Sequence, residues 1–213
     1  LQQPAVGADV LLPRLVVLGV GHTDGLAEDD GVLERQPHVA RVLPRRRLDA
    51  HDVVIAKTSE DGSDQTWGQG LNIRLGAQAI IGQAYITDSK ETAITIMDPG
   101  TTATLTDITV ANTRAQVADG DAGWGLWLYD GPIVELERAR FTNNRDVGVL
   151  LDLPGTILNA TDLIVEGTRE HTTGIAGWGM GIQSGSQANL TRARIHASIG
   201  IGGRYCRCCC GCE

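Results

Sequence analysis

What the chain has little of narrows it first. Aromatic residues make up 4% of its 213 positions, with a single phenylalanine, Phe141. Lysine occurs twice, at Lys57 and Lys90, so nearly all positive charge is arginine. Acidic residues outnumber basic ones 26 to 18, leaving a net charge of −8, which argues against nucleic acid or an anionic membrane surface as the main partner. No apolar run reaches the roughly 18–20 residues of a membrane helix. The best stretch, Val10–Val20, is broken by Pro13 and Arg14, and no membrane insertion is expected. No cysteine precedes residue 206, so no disulfide staples the body of the chain. Residue 1 is leucine and no basic stretch precedes an apolar one, so no secretory leader is read at this end. Catalytic signatures are also missing. His22, His38, His51, His171 and His196 are scattered, and Gly181-Ile-Gln-Ser-Gly185 has its serine one place too late for a nucleophile elbow. No zinc-protease, phosphate-loop or dinucleotide fingerprint occurs.

What is there is glycine, 27 residues of it, 42% hydrophobic residues, and a repeat. The segment Leu105-Thr-Asp-Ile-Thr-Val-Ala-Asn-Thr-Arg114 is echoed from Leu136 to Arg145, Ala160 to Arg169 and Leu190 to Ile199. Earlier copies run from Ile81 to Lys90 and, more weakly, from Ala50 to Ser59. The starts at 50, 81, 105, 136, 160 and 190 are separated by 31, 24, 31, 24 and 30 residues. Long and short steps alternate, so the unit is a doublet of about 55 residues. The extra residues of each long step fall just before a Trp-Gly pair: Trp67-Gly68, Trp124-Gly125 and Trp178-Gly179. These pairs read as equivalent positions, with the glycine permitting a sharp re-entry into the strand.

Apolar residues alternate in Ile94/Ile96, Leu126/Leu128 and Val149/Leu151, the period of two expected of strands. The second strand of each unit reads Leu-x-x-Ile-x-Val, with an inward set of Leu105, Ile108 and Val110 and a bend in the middle. Asp98-Pro-Gly100, Asp130-Gly-Pro132, Leu153-Pro-Gly155 and Ser184-Gly-Ser186 read as turns. Strands this short cannot bury an apolar face alone, but stacked on copies of themselves they can. The prediction is an all-β chain: a right-handed parallel β-helix, or solenoid, of about six rungs over residues 48–203, after an irregular N-terminal segment. Propeller blades leave the 24-residue echo unexplained, and the leucine-rich pattern is absent.

Those strings, Trp-Gly-x-Gly-Leu/Ile, Asp-Pro-Gly-Thr-Thr-Ala-Thr-Leu-Thr-Asp-Ile-Thr-Val and Asn-Asn-Arg-Asp-Val-Gly-Val, resemble bacterial right-handed parallel β-helix repeat proteins of the pectate-lyase-like superfamily. The resemblance covers residues from about 50 to 203. It implies the fold, and an extracellular or cell-surface location. Members of that group include polysaccharide lyases, hydrolases and adhesins, so it does not select a function.

Residues 1–47 carry four of the seven prolines and no convincing rung. They read either as a cap over the end of the array or as a segment outside the native coding frame. Residues 204–213 hold all five cysteines in Cys206–Cys212. Clustered thiolates suit Cu(I) or Zn, but no partner cluster lies elsewhere, and the tail reads as disordered or artefactual. Ending the array there leaves an open rung, an edge that invites end-to-end self-association.

Candidate sites are few. Trp67, Trp124 and Trp178 would project two rungs, or roughly 10 Å, apart. That approaches a disaccharide repeat, with Trp127 and Tyr129 enlarging the platform. The same tryptophans could instead fold the loops down over the core. Asp61, Asp64, Asp119 and Asp121 sit in glycine-rich long-step loops, where oxygen ligands can hold Ca²⁺, although turn chemistry accounts for them without a metal. No other cofactor is expected. Asp107, Asp162, Arg138, Arg140, Arg192 and Arg194 recur at matched positions, which cross-rung ion pairing explains, and no catalytic residue stands out. Two functions remain. One is a non-catalytic β-solenoid acting as a spacer or as an adhesin for a polysaccharide or cell-surface glycan. The other is a fragment of a polysaccharide lyase or hydrolase whose catalytic rungs lie outside this chain.

Overall fold

The computed structural model describes residues 16–18, 33–36, 39–42, 47–59, 68–171, 173–174 and 177–196. Among these every regular element is a strand. In chain order they are β1 (Val16–Leu18), β2 (Leu33–Gln36), β3 (Val39–Val42), β4 (Arg47–Ala56), β5 (Leu71–Ile73), β6 (Gln78–Thr87), β7 (Thr92–Met97) and β8 (Thr102–Ala111). Then follow β9 (Trp124–Tyr129), β10 (Ile133–Thr142), β11 (Val147–Asp152), β12 (Ile157–Glu166), β13 (Trp178–Ile182), β14 (Gln187–Thr191) and β15 (Arg194–His196).

The strands form two sheets, and from β3 to β14 the chain alternates between them. One sheet runs β1-β4-β6-β8-β10-β12-β14, with β15 also on β12, and the other β13-β11-β9-β7-β5-β3-β2. Every pairing is parallel except that of β2 with β3. The segment read as holding no rung therefore contributes three short strands: β1 lies beside β4, β3 beside β5, and β2 closes the edge.

Register follows the sequence repeat residue for residue. Ala50, Ile81, Leu105, Leu136, Ala160 and Leu190 lie side by side across six strands. The five ten-residue strands each bend at their sixth residue, Asp52, Gln83, Asp107, Arg138 and Asp162, which take left-handed φ values of 52–57°. Arg192, between β14 and β15, does the same at φ 53°. Asp tolerates that conformation, but Gln and Arg adopt it only where the surroundings impose it. Here the parallel ladder resumes on both sides of the bend, and the bend residue itself is left out of it. A second left-handed corner ends each long strand, at Lys57, Asp88, Asn112, Asn143 and Gly167.

Inside, the inward rows pack on one another. Ile55, Ile86, Val110, Phe141, Val165 and Ile195 form one row. Its members are at most 1% exposed until Ile195, which is 40% exposed at the last described repeat. Just past the second corner runs a buried polar row, Thr58, Ser89, Thr113, Asn144 and Thr168. Thr113 donates to Asn144 Oδ1 through both its backbone N–H (3.1 Å) and its hydroxyl (2.8 Å). This row explains the small residues that open the short strands. A Cβ on Gly125 would meet Asn144 Nδ2 at 2.6 Å, and one on Gly148 would meet Val165 Cγ1 at 2.4 Å and the Gly179 carbonyl at 2.5 Å. Both glycines are set by the inward neighbour, and for Gly125 this replaces the expected re-entry from a loop.

Urea unfolding should resolve these contributions. Phe141→Ala is expected to lower stability by about 3–5 kcal/mol, and Gly148→Ala by about 1–3 kcal/mol through overpacking. Ile195→Ala, on the same row as Phe141, is expected to cost well under the roughly 2 kcal/mol minimum of a buried Ile→Ala change.

Candidate functional site

The outer face of the β5–β13 sheet carries the aromatic residues. Trp124, Trp127 and Tyr129 all lie on β9, each half-buried. The Trp124 and Trp127 rings sit 5.0 Å apart, edge to face at 69°. Trp127 and Tyr129 are 5.1 Å apart and tilted by 50°. The ring contacts therefore run along one strand. Thr92 and Thr95 of β7 stand directly beside Trp124 and Trp127, and Leu150 of β11 lies on the other side of Trp127. Thr92, Thr95 and Asn72 are at most 2% exposed. Each keeps one side-chain oxygen without a hydrogen bond.

Two of the three Trp-Gly pairs, Trp124-Gly125 and Trp178-Gly179, are described. Leu71, Ile94 and Leu126 share one row, and Thr92 is level with Trp124, so Gln69 occupies the level of Trp124. Two hydrogen bonds make the same point: Gln69 Nε2 donates to Glu91 and Trp124 Nε1 to Asp146 (2.7 Å), each reaching 22 residues ahead. Trp178 does sit at this level, since it pairs with Val147. Trp67, like Asp61 and Asp64, lies outside the described residues.

Two long-step loops meet above β9 and β13. His171 Nε2 lies 2.8 Å from Asp121 Oδ1, fifty residues away in sequence, and its side chain is 11% exposed. The backbone N–H of Thr173 donates to His171 Nδ1, which leaves Nε2 as the donor to Asp121 in the neutral ring. Asp146, half-buried between the loops, has its carboxyl pushed above the usual aspartate range by burial. The Trp124 indole N–H and the positive charge of His171 oppose that shift, and Asp121 adds to it. Asp119, expected as a metal ligand, spends Oδ1 on its own loop. It accepts from the Asp121 backbone N–H and the Gln116 amide, both at 2.8 Å, and these hold its carboxyl below the usual range. Among the described residues no group of three or more His, Cys, Asp or Glu side chains is placed to hold a metal.

The recurrent charges on the other sheet pair with one another. Arg138 is bidentate to Asp107 (2.6 and 3.0 Å) and Arg192 to Asp162 (2.5 and 2.7 Å). These hydrogen bonds hold both carboxyls below their ordinary range and raise both guanidinium pKa values. Arg140 pairs with Glu166, and His196 Nε2 lies 3.3 Å from the same carboxylate. Asp152 accepts from the Leu153 N–H. One further row was passed over in the sequence. Four copies of the repeat end in a cation, Lys90, Arg114, Arg145 and Arg169, and the structure sets these side by side at one corner.

No family model, curated protein or solved structure matches the chain. Its functional reading therefore stands on this geometry.

A raised carboxyl pKa means that the folded state binds the Asp146 proton more readily than the unfolded chain does, so the ionised group costs stability at neutral pH. That cost disappears as pH falls through the raised value. Asp146→Asn keeps an acceptor for Trp124 Nε1 and removes the charge. It is expected to equal or exceed the parent in stability at pH 7, with the advantage shrinking as acid protonates Asp146. Denaturation midpoints measured from pH 7 to pH 4 check this, and a variant less stable at pH 7 would contradict it.

Proposed function

We propose that the two parallel sheets are walls of a right-handed parallel β-helix, and that the protein is a non-catalytic β-solenoid of a secreted or cell-surface bacterial protein. In this reading it serves as a spacer that also holds a glycan. Support for the coil comes from the strict alternation between sheets, the constant parallel register and the left-handed corners at matched positions. Each turn of chain then adds one strand to each wall, about 4.8 Å further on.

One observation carries the binding function: Trp124, Trp127 and Tyr129 form a contiguous, half-buried aromatic strip along β9. Aromatic faces stack on the C–H faces of sugar rings. With the strip along a single strand, it suits one or two sugar units lying along β9.

The enzymatic alternative places its catalytic rungs outside this chain; a catalytic role within it would have to rest on Asp121, Asp146 and His171, the titratable groups that the long-step loops bring together. Each already has a structural task. Asp146 accepts from Trp124, and both ring nitrogens of His171 are engaged. A residue that joins two loops is poorly placed to exchange protons with a substrate.

A glycan-array screen on the full chain tests this. Saturable binding to a neutral or mildly polar glycan is expected, and Trp127→Ala together with Tyr129→Ala should weaken it at least tenfold while the far-ultraviolet β signal is kept. Binding that survives the double change, or its absence in the parent, would leave the spacer role alone.

A further inference from the structure

The cation row at the second corner differs from every other charged row described. On the bend row the signs alternate, Asp107, Arg138, Asp162 and Arg192, and each arginine closes on an aspartate of the preceding repeat. At the corner the signs do not alternate. Arg114 follows Lys90 and Arg169 follows Arg145 across direct bridges, and Arg145 N–H donates to the Thr113 carbonyl beside Arg114 (3.2 Å). Four cations thus occupy successive repeats at about the 4.8 Å spacing of paired strands, in a chain whose net charge is −8. Like charges on facing positions are destabilising. Arg114 is relieved by Asp88 at 2.8 Å. Among the described residues, Arg145 reaches only the Glu170 carbonyl, at 3.5 Å, and Arg169 forms no ion pair.

These side chains line a groove of about 570 Å³, walled on one side by the Gln116–Gly120 part of a long-step loop. Asn112 and Asn143 lie between the arginines. A second hollow of about 400 Å³ shares Asp88 and Arg114 and extends the groove past Lys90 to Lys57. Among the described residues no aromatic side chain lines either hollow, so none of them offers sugar rings or nucleobases a stacking surface there. Both oxygens of the Asp88 carboxylate are taken, by Arg114 and by the Thr87 hydroxyl. What remains toward the groove is mainly donors, in a line across the strands.

We infer that this corner binds a linear chain of phosphoryl groups, whether inorganic polyphosphate or a phosphodiester polymer without rings. Guanidinium groups take phosphate oxygens in bidentate fashion. A phosphate every few ångströms would neutralise Arg145 and Arg169, for which no ion pair occurs among the described residues, and would lie along the cations on either side of them. The inference is independent of the aromatic strip, and failure of glycan binding leaves it untouched.

Calorimetry on the full chain with inorganic tripolyphosphate, long-chain polyphosphate and poly(glycerol phosphate) tests it at several salt concentrations. Binding to at least one of the three is expected, weakening steeply as salt rises. The probe bound most tightly shows whether the phosphoryl groups are anhydride- or glycerol-linked. The double change Arg145→Gln and Arg169→Gln should weaken it at least tenfold. The same loss of charge on the bend row, Arg138→Gln and Arg192→Gln, should change it less than threefold. Arg169→Gln alone, at an exposed position, should weaken it several-fold and keeps the test decisive if the double variant unfolds. Absence of binding to all three probes, equal losses in the two double variants, or tighter binding of oligogalacturonate or single-stranded DNA would each overturn the assignment.

Discussion

The structure depends on backbone hydrogen bonds that continue between repeats through the corners. The N–H groups of Lys57, Asp88, Asn112 and Asn143 donate to Thr87, Ala111, Thr142 and Glu166 of the next repeat, at 3.0–3.1 Å. A parallel ladder that does not stop at the corner requires each repeat to turn there with the same backbone geometry. The left-handed φ values of residues as unsuited to them as Lys57, Gln83 and Arg138 follow from that demand. Local preference is overruled by the neighbours above and below, whose unpaired amides would otherwise be left without partners.

Once corners are fixed, side chains sort themselves by row. Inward rows carry aliphatic residues and one polar file, Thr58 to Thr168, where the chain passes the corner. Outward rows carry the chemistry, and the rows differ in kind. The bend row is self-neutralised, the outer face of the short-strand sheet is aromatic and hydroxylic, and the corner row is cationic. In a molecule with so regular a backbone, one surface differs from another chiefly by its rows.

Register and turns were legible in the sequence because in a parallel stack self-similarity is itself the pairing. Leu105 aligned with Leu136 in the sequence, and they are neighbours in the sheet. The repeat was less informative where insertions differ in length, and nothing in the motif marked Gln69 as the residue that holds the level of Trp124. The strands of the first 47 residues were not legible, since β1 and β3 have three and four residues and none of the repeat motif. Trp124 and Trp178 share a level as the repeat implies, but the ring contacts along β9 were not legible, because periodicity gives the row of a residue and not which rings touch. The cation row was visible as the last residue of four aligned copies, but it was read as a boundary of the motif and not as a surface.

The long-step loops occur in every second repeat, and His171 of one reaches Asp121 of the preceding one across the intervening short repeat. Two such loops on adjacent strands would have to share a lateral space of only about 4.8 Å, too little for either to fold back on the sheet. The doublet is therefore the smallest step by which such an array can lengthen or shorten without collision. Gain or loss of 55 residues conserves every surface row, whereas gain or loss of a single repeat would set loop against loop and interrupt each row at the junction.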